Sequence, residues 1–405
     1  MKRIVIWGLG KYAPYVYDDI LLNKCVFEGC VDNNLEKQSI QWKDQYSVYS
    51  LEKSIELDLD YYVISTMNYN EQIILQAKRF GIENKLIWYW KDDLKQYEFI
   101  NNSSYLKENI LLKIKIEKMQ RKIDNAPYEY GNPQIMMKSA KDLLEKIIEN
   151  KYSLCRFGDG EFDIILKQNR AWFQNYNSIM EKRLKSILNS RKENILIAIA
   201  DNYGSLDKYE DQAADEIRKY LTKEKRTEHM KLLDSSREYY DAYVSRPYII
   251  YKNKENNASI IFELYKKLFY ARDILIIEGE NTKNGVNNNL LNGAHSIRRI
   301  LCPDANAYNS YDKILKRTLD IVSKEDLILI TLGPTATVLA YDLAIRGFQA
   351  LDFGQVDNEY EWFIQHATER KVIEGKSVSE LLWYKIPTIQ LHDDKYEKQI
   401  IVHIK

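Results

Sequence analysis

The 405 residues carry 59 Lys and Arg against 59 Asp and Glu, a formal net charge of zero, and 45% are hydrophobic and 29% charged. That balance excludes a disordered chain and a protein that gathers nucleic acid through a whole-chain basic field. The length exceeds one ordinary core, so two domains are expected, and no apolar run reaches the roughly 18 residues that a membrane span needs.

The first hundred residues alternate strand and helix signals. RIVIWGLG, VFEGCVD, DYYVIST and NKLIWYW are β-branched or aromatic runs, with helix-compatible stretches between them. That rhythm predicts βαβ units, a parallel sheet and a Rossmann-like domain over residues 1–95. The N-terminal run is interrupted at Gly8 and Gly10 and lacks a small-residue cleavage site, so it is not read as a signal peptide.

The first turn reads Gly8, Leu9, Gly10, Lys11, Tyr12, Ala13, a GxGxxA pattern, and Asp32 closes the second run 22 residues after Gly10. A dinucleotide fold places its ribose-binding acid about 20 residues on. Gly8, Gly10 and Asp32 are therefore candidate nucleotide ligands. The alternative, of equal weight, is a scaffold whose glycines serve only the turn and helix packing.

Cys25, Cys30, Cys155 and Cys302 are scattered without metal-ligand spacing, which points to buried, reduced thiols. YLKENILLKIKIEKMQRKIDN places Leu and Ile at helical spacing among charges, predicting one helix. APYEYGNP should end it and set a boundary near 130. The organisation expected is thus 1–95, a helical connector over 96–135, and a second α/β domain over 136–405.

The second domain opens with the helix SAKDLLEKIIENK and then SLCRFGDGEFDII. SLCRF should be a strand, GDGE the turn at its C-terminal end and FDII the start of a helix. Ligands bind at that edge of an open α/β sheet. Asp159 and Glu161, two apart on a turn, can aim oxygens at one point, the donor set of Mg²⁺ or Mn²⁺ held against a diphosphate. Arg156 is a candidate phosphate or carboxylate partner. An acidic turn that merely caps the next helix is the competing reading.

Two more stretches repeat the strand-then-polar-loop design. DILIIEGENTKNGVNNNLLNGAHSIRRIL holds Glu278, Gly279, Arg298 and Arg299. DLILITLGPTATVLAYDLA holds Gly333, Pro334 and Thr335, and is followed by Asp352, Asp357, Glu359 and Glu361. Gly333 to Thr335, at a strand-to-helix turn, is a candidate phosphate cradle.

Together RFGDGEF, EG…NGV, RIL.P..NAY, LGPTATVLAYDLA..G.QALDFG and DNEYEW resemble the GT-D-fold glycosyltransferases, over roughly residues 136 to 390. That resemblance implies a GT-D-type α/β domain and a metal-dependent transferase that moves a hexose, glucose foremost, from a UDP-sugar to a glycan or glycoprotein acceptor. It implies Asp159 and Glu161 as metal ligands with Arg156 beside them, and Glu278, Gly279, Gly333, Pro334 and Thr335 match other family motif positions. Apart from the resemblance, Arg298 or Arg299 is a candidate second positive contact to the departing diphosphate. Lys283 stands where the family favours Arg, and Gln355 where it favours His.

An acceptor hydroxyl loses a proton as it attacks, so one carboxylate among Asp357, Glu359 and Glu361 is a candidate general base. Trp172, Phe173, Tyr176, Tyr203, Tyr360 and Trp362 are candidate stacking faces, each alone equally suited to core packing. A cytoplasmic protein is expected, peripheral to the inner membrane face, with a homo-oligomer allowed. Two rivals stay open: a non-catalytic nucleotide-sugar or dinucleotide sensor, and an NAD-dependent sugar oxidoreductase, for which no Tyr-x-x-x-Lys pair stands out.

Overall fold

The computed structural model describes residues 2–9, 13–22, 25–38, 41–65, 70–88, 103–131, 135–168, 174–378 and 393–404. The chain forms two compact units, Met1–Gln120 and Arg121–Lys405.

In the first unit β1 (Arg3–Trp7), β2 (Val26–Val31), β3 (Gln41–Trp42), β4 (Tyr46–Tyr49), β5 (Tyr61–Ile64) and β6 (Leu86–Trp88) form one sheet in the order β3-β4-β2-β1-β5-β6. Only the β3–β4 pair is antiparallel. Strand residues alternate between two cores: Val5 and Trp7 pack with Leu51 and Ile73, Ile4 and Ile6 with Val16 and Ile20. The β3–β4 hairpin is an addition to the four strands read from sequence. It turns on Lys43 and Asp44, both at positive φ (50° and 58°), so no glycine marks it.

The helix Ser103–Glu129 is continuous and passes through Pro127, so APYE extends the helix instead of ending it. Pro127 lies in the last turn, so its missing N–H removes one ladder bond close to the helix end. The two units divide inside this helix, earlier than the boundary expected near 130. From Arg121 onward the helix is clamped to the helix Asp211–Tyr220 by two forked ion pairs. Arg121 donates to Asp215 at 2.9 and 2.8 Å, and Arg218 to Glu129 at 2.6 and 2.8 Å.

The second unit is built on β7 (Met136–Lys138), β8 (Ser153–Phe157), β9 (Ile195–Ile199), β10 (Glu238–Asp241), β11 (Asp273–Gly279), β12 (Ser296–Cys302), β13 (Leu327–Thr331), β14 (Gln349–Asp352) and β15 (Ile400–His403). They form one sheet in the order β15-β12-β11-β13-β14-β8-β9-β10-β7, and every neighbouring pair is parallel. Central strands such as ILII and LILI are apolar throughout because both faces are covered. Ile274 and Ile276 enter one core, Leu275 and Ile277 the other. With all strands parallel, the C-terminal residues Phe157, Asp241, Gly279, Thr331 and Asp352 share one edge. Among the described residues no helix is long and apolar enough to cross a membrane.

Candidate active site

SLCRF forms β8 as expected, but the helix after it begins at Asp159, with Gly158 as its N-cap. Asp159 and Glu161 therefore occupy the first turn of a helix and not a free loop. Side chains two apart on a helix do not face each other, and the two acids differ accordingly. Asp159 is exposed, its Oδ1 accepting the Gly160 N–H at 2.9 Å. Glu161 is buried and folds back, its Oε2 accepting the Gly158 N–H at 2.7 Å. The expectation that both aim oxygens at one point is not met in this conformation. Burial, reinforced by nearby Asp352, raises the Glu161 carboxyl to about 7.

Arg156, one strand position from the end of β8, acts as a brace. Its Nη2 donates to Asp352 Oδ1 at 2.6 Å, its Nε to the Asp352 carbonyl at 2.9 Å and its Nη1 to Ser245 Oγ at 2.6 Å. Asp352 supplies a carboxylate partner from within the chain. Gly354 permits this: its φ is +58°, and a Cβ there would lie 2.2 Å from Arg156 Nη2. Asp352 also receives the Thr337 hydroxyl at 3.1 Å. Burial raises the Asp352 carboxyl while Arg156 opposes that rise.

Gly333, at φ 54° and ψ −142°, caps the helix Pro334–Ala344, a conformation that a residue with a side chain adopts only under strain. This second helix start lies beside the first, since a Cβ on Gly160 would sit 3.5 Å from Pro334 Cγ. Thr335 is buried, its Oγ1 3.4 Å from Gln174 Oε1. The Asp159–Glu161 turn and the Gly333–Thr335 turn are thus brought together.

A second cluster forms at the ends of β11 and β12. Glu278 and Arg299 are fully buried and paired at 2.5 Å. Glu278 Oε2 accepts the backbone and side-chain N–H groups of Asn284 at 2.8 and 2.9 Å. Burial raises its carboxyl against the pull of Arg299. Gly279 leaves room for Asp304, whose Oδ1 would lie 2.5 Å from a Cβ there. Arg299 also donates to Gln399 and the Asn284 carbonyl, both at 2.8 Å, so it is fully engaged inside the fold. Arg298 faces the other way and pairs with Asp326 at 2.6 Å.

Asp357, Glu359 and Glu361 are buried on the helix Val356–Ile364 and do not form the exposed turn that charge alone suggests. Asp357 and Glu361 share Lys376 and the Asn288 amide. Glu359 Oε2 accepts the N–H groups of Tyr248 and Ile249, each at 2.9 Å. Its Oε1 has no hydrogen-bond partner among the described residues, and burial lifts this carboxyl to about 7.

Sequence reasoning missed the ends of β9 and β10. Asp241 is buried, takes the Tyr243 N–H at 2.8 Å, and is raised to about 7 by burial and then by Asp201. The Tyr243 hydroxyl donates to Asn202 at 2.8 Å. Burial raises that phenol, with Asp159 and Asp241 both adding to the rise, so Tyr243 links this corner to the acidic turn. Only an acid closing a buried strand signalled Asp241, and nothing signalled Lys376.

In the first unit Gly8 adopts φ 97° and its N–H donates to the Val31 carbonyl at 2.8 Å. Asp32 Oδ2 accepts the Leu9 N–H at 2.8 Å and pairs with Lys37 at 3.0 Å. The acid is thus bonded to the turn itself. Gly10 lies outside the described residues, as do Trp172 and Phe173. Tyr203 is buried against His229. Tyr360 and Trp362 are core residues. Cys30, Cys155 and Cys302 are buried and Cys25 is partly exposed, all four as free thiols.

Residues 154–381, more than half of the chain, match the family model for the glycosyltransferase GT-D fold. The chain belongs to that family. Residues 1–88 match a separate model, the C2185-like N-terminal region. Among curated proteins the GT-D chain is 33% identical over 273 residues to a probable glycosyl transferase Gly of Streptococcus gordonii. It is 32% identical over 276 residues to the glycosyltransferase GlyD of Streptococcus pneumoniae serotype 4. Each alignment covers 67% of this chain, but only 39% and 33% of those relatives. A solved structure described as the highly conserved domain of unknown function 1792, with a distinct glycosyltransferase fold, superposes at TM-score 0.64 and 33% identity. It covers 67% of this chain and 97% of its own. A second, described as a new glycosyltransferase from Streptococcus sanguinis, gives 0.63 at 30% identity, covering 67% of this GT-D chain and all of its own.

Proposed function

We propose that the chain is a glycosyltransferase that moves a hexose, glucose foremost, from a UDP-sugar to a hydroxyl of a glycan or glycoprotein acceptor. The observation that carries this reading is the adjacency of two helix N-termini at the C-terminal edge of a parallel sheet, one acidic at Asp159 and Glu161 and one neutral at Gly333 to Thr335. A nucleotide diphosphate suits that pairing, because the neutral turn offers unsatisfied N–H groups and the acidic turn offers oxygens for a cation.

The donor set fits Mg²⁺ or Mn²⁺, which take one or two carboxylates and complete their shell with water and substrate phosphate. Glu161 is a buried carboxylate raised mainly by its burial, and a bound divalent ion stabilises its charged form. Asp159 is the exposed ligand; Glu161 joins it by giving up the Gly158 N–H. When bound, the ion neutralises charge building on the departing UDP. Arg156 fixes β8 against β14 and keeps the acidic turn in place.

For the proton of the acceptor hydroxyl, Glu359 is the suited member of its trio. Asp357 and Glu361 are committed to Lys376, whereas Glu359 keeps one oxygen without a hydrogen-bond partner among the described residues, and burial lifts its carboxyl to about 7, close to where a general base works best. The bonds of Asp32 to its own turn support a scaffold role for the first unit.

The test is UDP release from a panel of UDP-hexoses with Mn²⁺, with Mg²⁺ and with EDTA, water serving as acceptor. Metal-dependent release from one donor supports the proposal and names the sugar. Absence of both release and binding for every donor refutes it.

A further inference from the structure

In the β11–β12 connection Asn288 bonds Asp357 and Glu361, whereas its neighbours Asn287 and Asn289 take no part in the acidic turn described above. The connection borders a cavity of about 600 Å³ whose lining includes Asn287, Asn289, Asn292, Arg299, Tyr396 and Gln399. That size suits a small ligand.

The chemistry of the wall is specific. The charge of Arg299 is offset by Glu278, and two further N–H groups go to Gln399 and the Asn284 carbonyl. Asp393 and Lys395, also lining residues, carry opposite charges. The wall is therefore polar but close to neutral, which disfavours phosphate and metal alike. Carboxamides both donate and accept, as sugar hydroxyls do; the Asn289 Oδ1 already accepts the Tyr360 hydroxyl, and Asn287 and Asn292 also line the cavity. Independently, Tyr396 is only 4% exposed and its hydroxyl has no hydrogen-bond partner among the described residues. A buried hydroxyl left unpaired is costly, and a bound hydroxyl-rich ligand relieves that cost.

We propose that this cavity is a saccharide subsite, holding one or two uncharged sugar units of the acceptor glycan. The word acceptor rests on the glycosyltransferase reading; the binding of a neutral saccharide does not. Arg299 joins the cavity wall directly to Glu278 on β11, so a sugar seated here lies on the β11–β12 side of the same sheet that carries the acidic turn.

The experiment is saturation-transfer NMR on the full chain with glucose, galactose, N-acetylglucosamine, N-acetylgalactosamine, cellobiose and lactose. At least one of these gives transfer with the native chain. Tyr396→Phe and the double variant Asn289→Ala/Asn292→Ala each weaken that signal about fivefold or more, the loss of roughly one hydrogen bond. Both variants release UDP from the donor at the native rate, which also reports that they are folded. No transfer from any saccharide, or equal transfer with both variants, overturns the subsite. Saccharide binding with neither UDP release from any donor nor binding of any donor leaves the subsite standing and removes the transferase reading; the reverse outcome removes the subsite alone.

Discussion

Lys376 Nζ lies 2.6 Å from Asp357 Oδ2 and 2.8 Å from Glu361 Oε1, with the lysine 1% exposed. One cation thus serves two carboxylates a helical turn apart, and Asn288 bonds the same two acids from the opposite loop. Removing the cation leaves two buried acids facing each other without compensation. Lys376→Met should lower unfolding stability by about 3–5 kcal/mol, measured as a shift of the urea midpoint. A change below about 1 kcal/mol, the range of an exposed pair, would show that the lysine does not hold this corner.

Gly354→Ala tests the Arg156 brace. The new methyl would meet the guanidinium at 2.2 Å with the backbone held at φ +58°. The loss should exceed the roughly 1 kcal/mol that separates these residues in ordinary backbone, and UDP release should fall with it. Gly81, at φ +66° with nothing within 4 Å of an added Cβ, supplies the control, because Gly81→Ala adds strain but no collision. Equal destabilisation by the two would assign the effect to backbone alone.

Stability should fall as pH rises across the neutral range. Glu161 and Glu359 rise from 4.5 to about 7, and Asp241 from 3.8 to about 7, all through burial. A carboxyl with a raised folded pKa holds its proton more tightly when folded, so its full contribution is present below the unfolded value and is lost as pH climbs through about 7. The metal-free chain should therefore melt at a higher temperature at pH 5 than at pH 8. Glu359→Gln should flatten that slope. A Tm that rises over this interval would contradict the burial of these acids.

The same residue carries a kinetic prediction. If Glu359 takes the acceptor proton, kcat loses activity below about pH 7 in the native chain, and Glu359→Gln, which still accepts the Tyr248 and Ile249 N–H groups, lowers kcat about 10²-fold or more and abolishes that limb. Survival of the limb in the variant would move it to Glu161.

Apolar strand runs and the glycines after them made the parallel sheets and their C-terminal edge legible in the sequence. Asp159, Glu161 and the Gly333 turn lie within a few residues of their own strands, so local pattern located them. What local pattern could not supply was pairing at a distance. Arg156 finds Asp352 196 positions away, and Glu359 finds Tyr248 111 away. The acids of DNEYEW look like a solvated helical turn because charge is usually exposed; only the packing of Lys376 and two backbone amides against them makes their burial tolerable. The D-x-E spacing did not reveal that both acids fall in the first turn of a helix, which begins one residue after Gly158 and sets the two carboxylates apart in this conformation.

The most direct test of the acidic turn is the Mn²⁺ dependence of UDP release from the preferred UDP-hexose, compared among the native chain, Asp159→Ala and Glu161→Gln. Release should vanish in EDTA. Asp159→Ala should lower the rate about a hundredfold. Glu161→Gln, which keeps an oxygen for the Gly158 N–H, should retain the native Tm but need about tenfold more Mn²⁺. Release that is equal in EDTA and Mn²⁺, or a Mn²⁺ dependence unchanged in both variants, would contradict a cation held at Asp159 and Glu161.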